Sequence, residues 1–195
     1  IADTSADATI ISNEFLYTNG GILGNIAPPS GNVIGVYKNR VFVVSGEDQK
    51  TVYFSKARSK GLPVEFSETL RVTLSDADTI TALADMDGKL FIFEQSRIFM
   101  MSGDGPTNTG VQDNFTKPQL ITSDVGCSNT NSIVSTPKGL MFQSTKGLYL
   151  LDRALKTQYL GSDVETYNSL TVKGATLVQD SNQVRFLTSD DKTLV

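Results

Sequence analysis

One short unit recurs along this chain, and it limits the fold more than any other feature. A turn signal opens each copy. Three or four strand-forming residues follow, then a polar break, then a second short strand. The copies are KNRVFVVSGEDQKTVYFSKA from Lys38, DGKLFIFEQSRIFMMSG from Asp87, PKGLMFQSTKGLYLLDR from Pro137 and a weaker SNQVRFLTSDDKTLV from Ser181. With Asn39, Gly88, Gly139 and Gln183 as equivalent turn positions, the copies are spaced by 49, 51 and 44 residues. Periods of about 40–50 residues with several short strands in each are the pattern of β-propeller blades.

The strands themselves agree with stacked sheets. Val41–Val44, Leu90–Phe93 and Leu140–Phe142 are continuous apolar runs. A strand with one wet face alternates, so continuous runs predict strands covered on both faces. The opening turns, Lys38–Asn39, Asp87–Gly88 and Lys138–Gly139, carry residues that tolerate positive φ. An earlier strand precedes each pair, at Asn32–Tyr37, Thr79–Leu83, Asn131–Ser135 and Ala175–Gln179, and a fourth fits the linking stretches. No segment has a persuasive helical period. Near Ser75–Asp85 the β-branched Thr79, Ile80 and Thr81 favour strand. The expectation is a single all-β region of propeller-like repeats. It divides into a lead-in or partial blade (1–30), blades at about 31–75, 76–125 and 126–172, and an incomplete one at 173–195. The stretch SGDGPTNTGVQDNF from Ser102 reads as an exposed loop between blades. Ile1 and the apolar Leu194–Val195 at the two ends give the chain the look of a partial propeller, a segment of a longer polypeptide.

Composition narrows function mostly by exclusion. Among 195 residues there is one cysteine, Cys127, so an intrachain disulfide is impossible and packing must hold the fold. There is no histidine, which removes serine–histidine and cysteine–histidine nucleophile systems within this chain. Cys127 reads as a small buried residue. The net charge of −4 argues against a strong polyanion binder. No apolar run approaches the roughly 20 residues that cross a bilayer as a helix, and IADTSADATI does not have the form of a signal peptide.

Single motifs carry little chemistry. Asp85, Asp87 and Gly88 read as a turn, because a calcium loop needs further oxygen ligands at fixed spacing. SGDGPTNTG lacks the lysine of a phosphate loop, and TNGGILGN does not fit the dinucleotide fingerprint. Sialidase-like aspartate boxes end in tryptophan, and the chain has none. No metal or cofactor is expected. Lys38, Arg40, Lys50, Lys56, Arg58 and Lys60 form a locally basic region opposed by Glu47 and Asp48. It reads as a solvated sheet edge. Salt-sensitive contact with nucleic-acid phosphate, or with a sister subunit, is the sharper alternative.

Three ordered stretches carry a resemblance. They are KTVYFSKARSKGLPVEF from Lys50, DTITALADMDGKLFIFEQSRIFMMSGDG from Asp78, and DVGCSNTNSIVSTPKGLMFQSTKGLYLLDRALKTQYLGSDVE from Asp124. Together, over roughly Val33 to Glu165, the chain resembles the β-propeller region of tail proteins of short-tailed bacteriophages. These are the packaged-DNA stabilisation, tail nozzle and tail tube proteins. The resemblance implies a non-enzymatic virion component, assembled in the host cytoplasm as a homo-oligomeric ring, commonly a hexamer. It would contact portal, adaptor and other tail proteins, close the channel over packaged DNA and pass that DNA during ejection. It carries over no catalytic residue. The alternative is a propeller module that binds a host-surface glycan or protein through its loops, with Tyr17, Tyr149, Tyr159 or Tyr167 as stacking platforms. A propeller hydrolase is the third reading, with no acidic pair singled out.

Overall fold

The computed structural model describes residues 21–74, 78–111 and 114–195. Four antiparallel sheets follow one another along the chain, and each is a simple meander. The first contains β1 (Ile34–Tyr37), β2 (Arg40–Val44), β3 (Thr51–Ser55) and β4 (Phe66–Thr73). The second contains β5 (Ile80–Met86), β6 (Lys89–Glu94), β7 (Ile98–Ser102) and β8 (Gln119–Thr122). The third contains β9 (Val134–Thr136), β10 (Gly139–Ser144), β11 (Gly147–Asp152) and β12 (Thr157–Tyr159). The fourth has three strands, β13 (Val172–Val178), β14 (Gln183–Thr188) and β15 (Thr193–Leu194). The fold is all-β and propeller-like. The only helical pieces among the described residues are 3-10 stretches at Thr130–Ser132, Gly161–Tyr167 and Gln179–Ser181.

The continuous apolar runs are covered on both faces. In β6, Leu90, Phe91, Ile92 and Phe93 are all 0% exposed. Leu90 and Ile92 join a core with Phe42, Val44, Val52 and Phe54 of the first sheet. Phe91 and Phe93 join a second core with Leu140, Phe142 and Leu151 of the third. Alternate residues of one strand therefore bind the sheets on either side together. Each such side chain contributes about 1.5–3 kcal/mol on burial. Met141 and Leu148 continue the pattern against Val172, Val184 and Phe186 of the fourth sheet. First strands approach one another, β1 against β5 and β9 against β13, as expected of sheets arranged around a common axis.

The hairpins refine the repeat. Lys38 and Asn39 both have positive φ (45° and 58°), as do Asp87 and Gly88 (52° and 69°). Two-residue turns of this kind match the twist of the flanking strands. The third turn lies one residue earlier than the spacing predicts. Thr136 pairs with Gly139, so Pro137–Lys138 form the turn and Gly139 opens β10. Proline cannot take positive φ, so the special conformation moves to Gly139 (φ 147°), where a Cβ would lie 2.1 Å from the Leu151 carbonyl oxygen. Arg40, Lys89, Gly139 and Gln183 are then equivalent, at intervals of 49, 50 and 44 residues.

Two further expectations are corrected. The strand expected at Asn131–Ser135 begins only at Val134, because Ser132 Oγ donates to the Asn129 carbonyl at 2.8 Å and folds the approach into a 3-10 turn. The long glycine-rich loop does not join blades. It links β7 to β8 inside the second sheet, and its Gly105 and Pro106 are buried. Its Phe115 meets Phe54 edge-on at 5.0 Å, which plugs the first core from the side. The first twenty residues of the lead-in, with Tyr17, lie outside the described residues.

Candidate functional site

The structure separates the six basic residues of the candidate region. Arg40 opens β2 and is 3% exposed. Its Nη1 donates to the Ser55 carbonyl at 2.9 Å, its Nη2 donates to the Pro106 carbonyl, and its guanidinium lies over the edge-on pair of Phe54 (5.8 Å) and Phe115 (5.9 Å). Burial lowers its pKa, but arginine starts so high that it stays charged. Arg40 therefore fastens the second sheet's long loop onto the first sheet. Lys56 is equally enclosed. Its Nζ donates to Leu23 O at 2.5 Å and Asn25 Oδ1 at 2.6 Å, and pairs with Glu65 at 3.4 Å. Both cations are committed to the fold.

The other four are exposed but not together. Lys38, Arg58 and Lys60 sit at one end of the first sheet, where the Arg58 amide donates to the Asn39 carbonyl at 3.1 Å and Asn39 Nδ2 donates to Arg58 O at 2.8 Å. Lys38 is paired with Asp104 at 2.9 Å, and the hydrogen bond from that pairing raises its pKa. Lys50 lies at the opposite end, in the β2–β3 turn. There Asp48 accepts from the amides of Lys50 and Thr51 and from Thr51 Oγ1. Partial burial opposes ionisation of Asp48, but these donors prevail and lower its pKa.

Grooves between the sheets leave no mark in the sequence. One, of about 630 Å³, opens between the third and fourth. Met141, Leu148, Leu177, Val184, Phe186 and Leu194 form its apolar walls, and Tyr149, Lys138 and Asp163 supply polar groups. Tyr149 also lies between Phe142 (6.4 Å, stacked) and Tyr159 (5.2 Å), so two of the four tyrosines considered as stacking platforms come together. Tyr159 hydroxyl is held by Asn168 Nδ2 at 3.1 Å and by Glu165 at 3.3 Å. The groove can seat an apolar or sugar-like group of modest size. A second groove of the same volume lies between the outer strands of the first and second sheets, with Arg71, Lys117, Phe99 and Leu120 on its walls.

Asp87 takes positive φ in its turn and pairs with Arg153 of the third sheet, so the turn is also an inter-sheet tie. Among the described residues no group of three or more His, Cys, Asp or Glu side chains could hold a metal ion. Cys127 is fully buried, and burial pushes its thiol up to about 11. No helix among the described residues is long and apolar enough to cross a membrane. Neither a family model nor a curated protein matches this chain.

Proposed function

We propose that this chain is a structural part of a bacteriophage short tail, of the nozzle, tail-tube or DNA-stabilisation type, that closes and conducts the DNA channel without catalysis. One observation carries the reading. The three stretches that resemble this family occur in order, and they fall on successive stacked sheets. The first runs from β3 into β4, the second spans β5–β7, and the third leads into and through the third sheet. A stack bound on both faces of its middle sheets is stiff, as a conduit wall needs to be. The partners on this reading are further copies in a ring, probed first as a hexamer, and the neighbouring portal and tail proteins. The place is the virion tail. Electron microscopy of the protein, and of particles that contain it, tests this. A ring with a central channel at the tip of a short tail is the expected result. A protein that never forms rings, or density only on peripheral spikes, would overturn it.

A second reading rests on a different observation, the tyrosine-bearing groove between the third and fourth sheets. On that reading the chain is a host-surface receptor- or glycan-binding module. Glycan-array binding that Tyr149→Ala abolishes would move it to first place.

A further inference from the structure

Three segments meet at one corner of the first sheet, at the end that carries the Lys38–Asn39 turn. The Leu23 amide donates to the Asn108 carbonyl at 2.9 Å. The Ala57 amide donates to Asn108 Oδ1 at 2.9 Å, and buried Lys56 reaches Leu23 O. The corner is therefore firmly built, yet it displays aliphatic side chains to solvent. Leu62 is 64% exposed, Val111 60%, Ile22 47% and Val64 42%. They line neither groove described above.

The loop that carries two of them has a defined shape. The Leu62 amide donates to the Ser59 carbonyl at 3.1 Å, and Gly61 takes φ 83°. This is a tight turn with Lys60 and Gly61 at its tip, a geometry that calls for glycine at the third position. Arg58 and Lys60 are exposed beside the aliphatics, and among the described residues neither forms an ion pair. The chain as a whole is acidic, at −4, while this corner carries cations unpaired among the described residues.

From this corner we infer a docking surface for an anionic lipid bilayer. Exposed aliphatics on projecting loops, flanked by cations, match an interface in which the apolar groups enter the headgroup boundary and the cations meet lipid phosphates and carboxylates. A protein partner of comparable affinity would need a larger, shape-matched surface, and these residues line neither of the two grooves described above. The net charge of −4 opposes non-specific adsorption of the chain as a whole, so binding should depend on this corner. The inference does not depend on the tail reading.

The test is co-sedimentation of the 195-residue chain with phosphatidylcholine vesicles, with and without phosphatidylserine, at low and high salt. Binding should require phosphatidylserine and weaken with salt. The Leu62→Ser/Val64→Ser and Arg58→Ser/Lys60→Ser variants should each lower partitioning about tenfold or more. All four positions are exposed, so thermal unfolding should be unchanged and serves as the folding control. Failure to bind anionic vesicles at low salt, or binding that both variants leave intact, overturns the inference. So does vesicle-independent self-association that Leu62→Ser/Val64→Ser abolishes, which would assign the corner to a protein contact.

Discussion

Glu94 ends β6 with a side chain that is 0% exposed. Its Oε2 accepts from Arg97 Nε at 2.6 Å, while Oε1 has no hydrogen-bond partner among the described residues. Burial raises its pKa, and Arg97 and the Asp78 backbone only partly oppose this. The folded state thus holds the Glu94 proton more tightly than the unfolded chain, whose value is about 4.3. Stability from this group is therefore greatest below that value and is lost as pH rises through the folded one. Glu94→Gln removes the dependence. The stability of the variant relative to the parent, from urea unfolding at several pH values, should rise as pH increases from about 4 toward neutrality. A flat or falling difference would show that Arg97 compensates the buried charge. Cys127 gives a second check. A thiol pushed up to about 11 and fully buried should resist iodoacetamide at pH 8 in the folded chain and react once denatured. Alkylation at the rate of a free thiol would mean that the 125–127 segment opens readily. Arg40 is the third. Its two backbone acceptors and the two rings beneath it suit a planar fork, so Arg40→Lys should cost about 1.5–3 kcal/mol in unfolding experiments.

Close approach between elements is concentrated at the first strands. Gly35 of β1 faces Leu83 of β5, and a Cβ there would lie 3.0 Å from Leu83 Cβ. Gly35→Val should therefore destabilise by about 1–3 kcal/mol through overpacking. Leu83→Gly, which removes that Cβ, should recover part of that loss in a double-mutant cycle, and additive effects would deny the contact. The second and third strands of each unit were legible because continuous apolar runs and turn residues leave a direct mark in sequence. The outer strands were not. β8 reads QLIT and β12 reads TQY, short and largely wet, and only pairing with β7 and β11 makes them strands. The long loop reads as a link between blades in sequence because its anchor, Phe115 against Phe54, joins residues far apart along the chain. The basic region illustrates the same limit. Charge is visible in a sequence and burial is not, so Arg40 and Lys56 looked like Arg58 and Lys60. Their acceptors, such as Pro106 and Leu23, are contributed by distant segments.

Stacking gives the molecule a gradient of protection. Among the described residues the second sheet has another sheet against both faces, whereas the first and fourth have another sheet against only one. On the outward face of the first sheet Ile34 is 60% exposed and Val36 59%. In the second sheet the corresponding partner-facing residues are buried, with Leu83 at 7% and Leu90 at 0%. The outward face of the fourth carries Arg185, paired across the sheet with Thr176, and Leu187, which is 40% exposed. Both end faces are mixed, because register places Tyr53 and Arg71 on the same face as Ile34 in the first sheet. Amide exchange should follow this order, slowest in β6, intermediate in β2 and fastest in β14 and β15. Substitution should follow it too. Leu83→Lys should cost several kcal/mol, since it buries an unpaired charge between sheets. Ile34→Lys, on the open face, should change unfolding free energy by no more than about 0.5 kcal/mol. If β14 is as protected as β6, or Ile34→Lys is as damaging as Leu83→Lys, then the end faces are covered in solution. The stack would then continue through contacts beyond the four sheets described, which is the arrangement a closed ring requires.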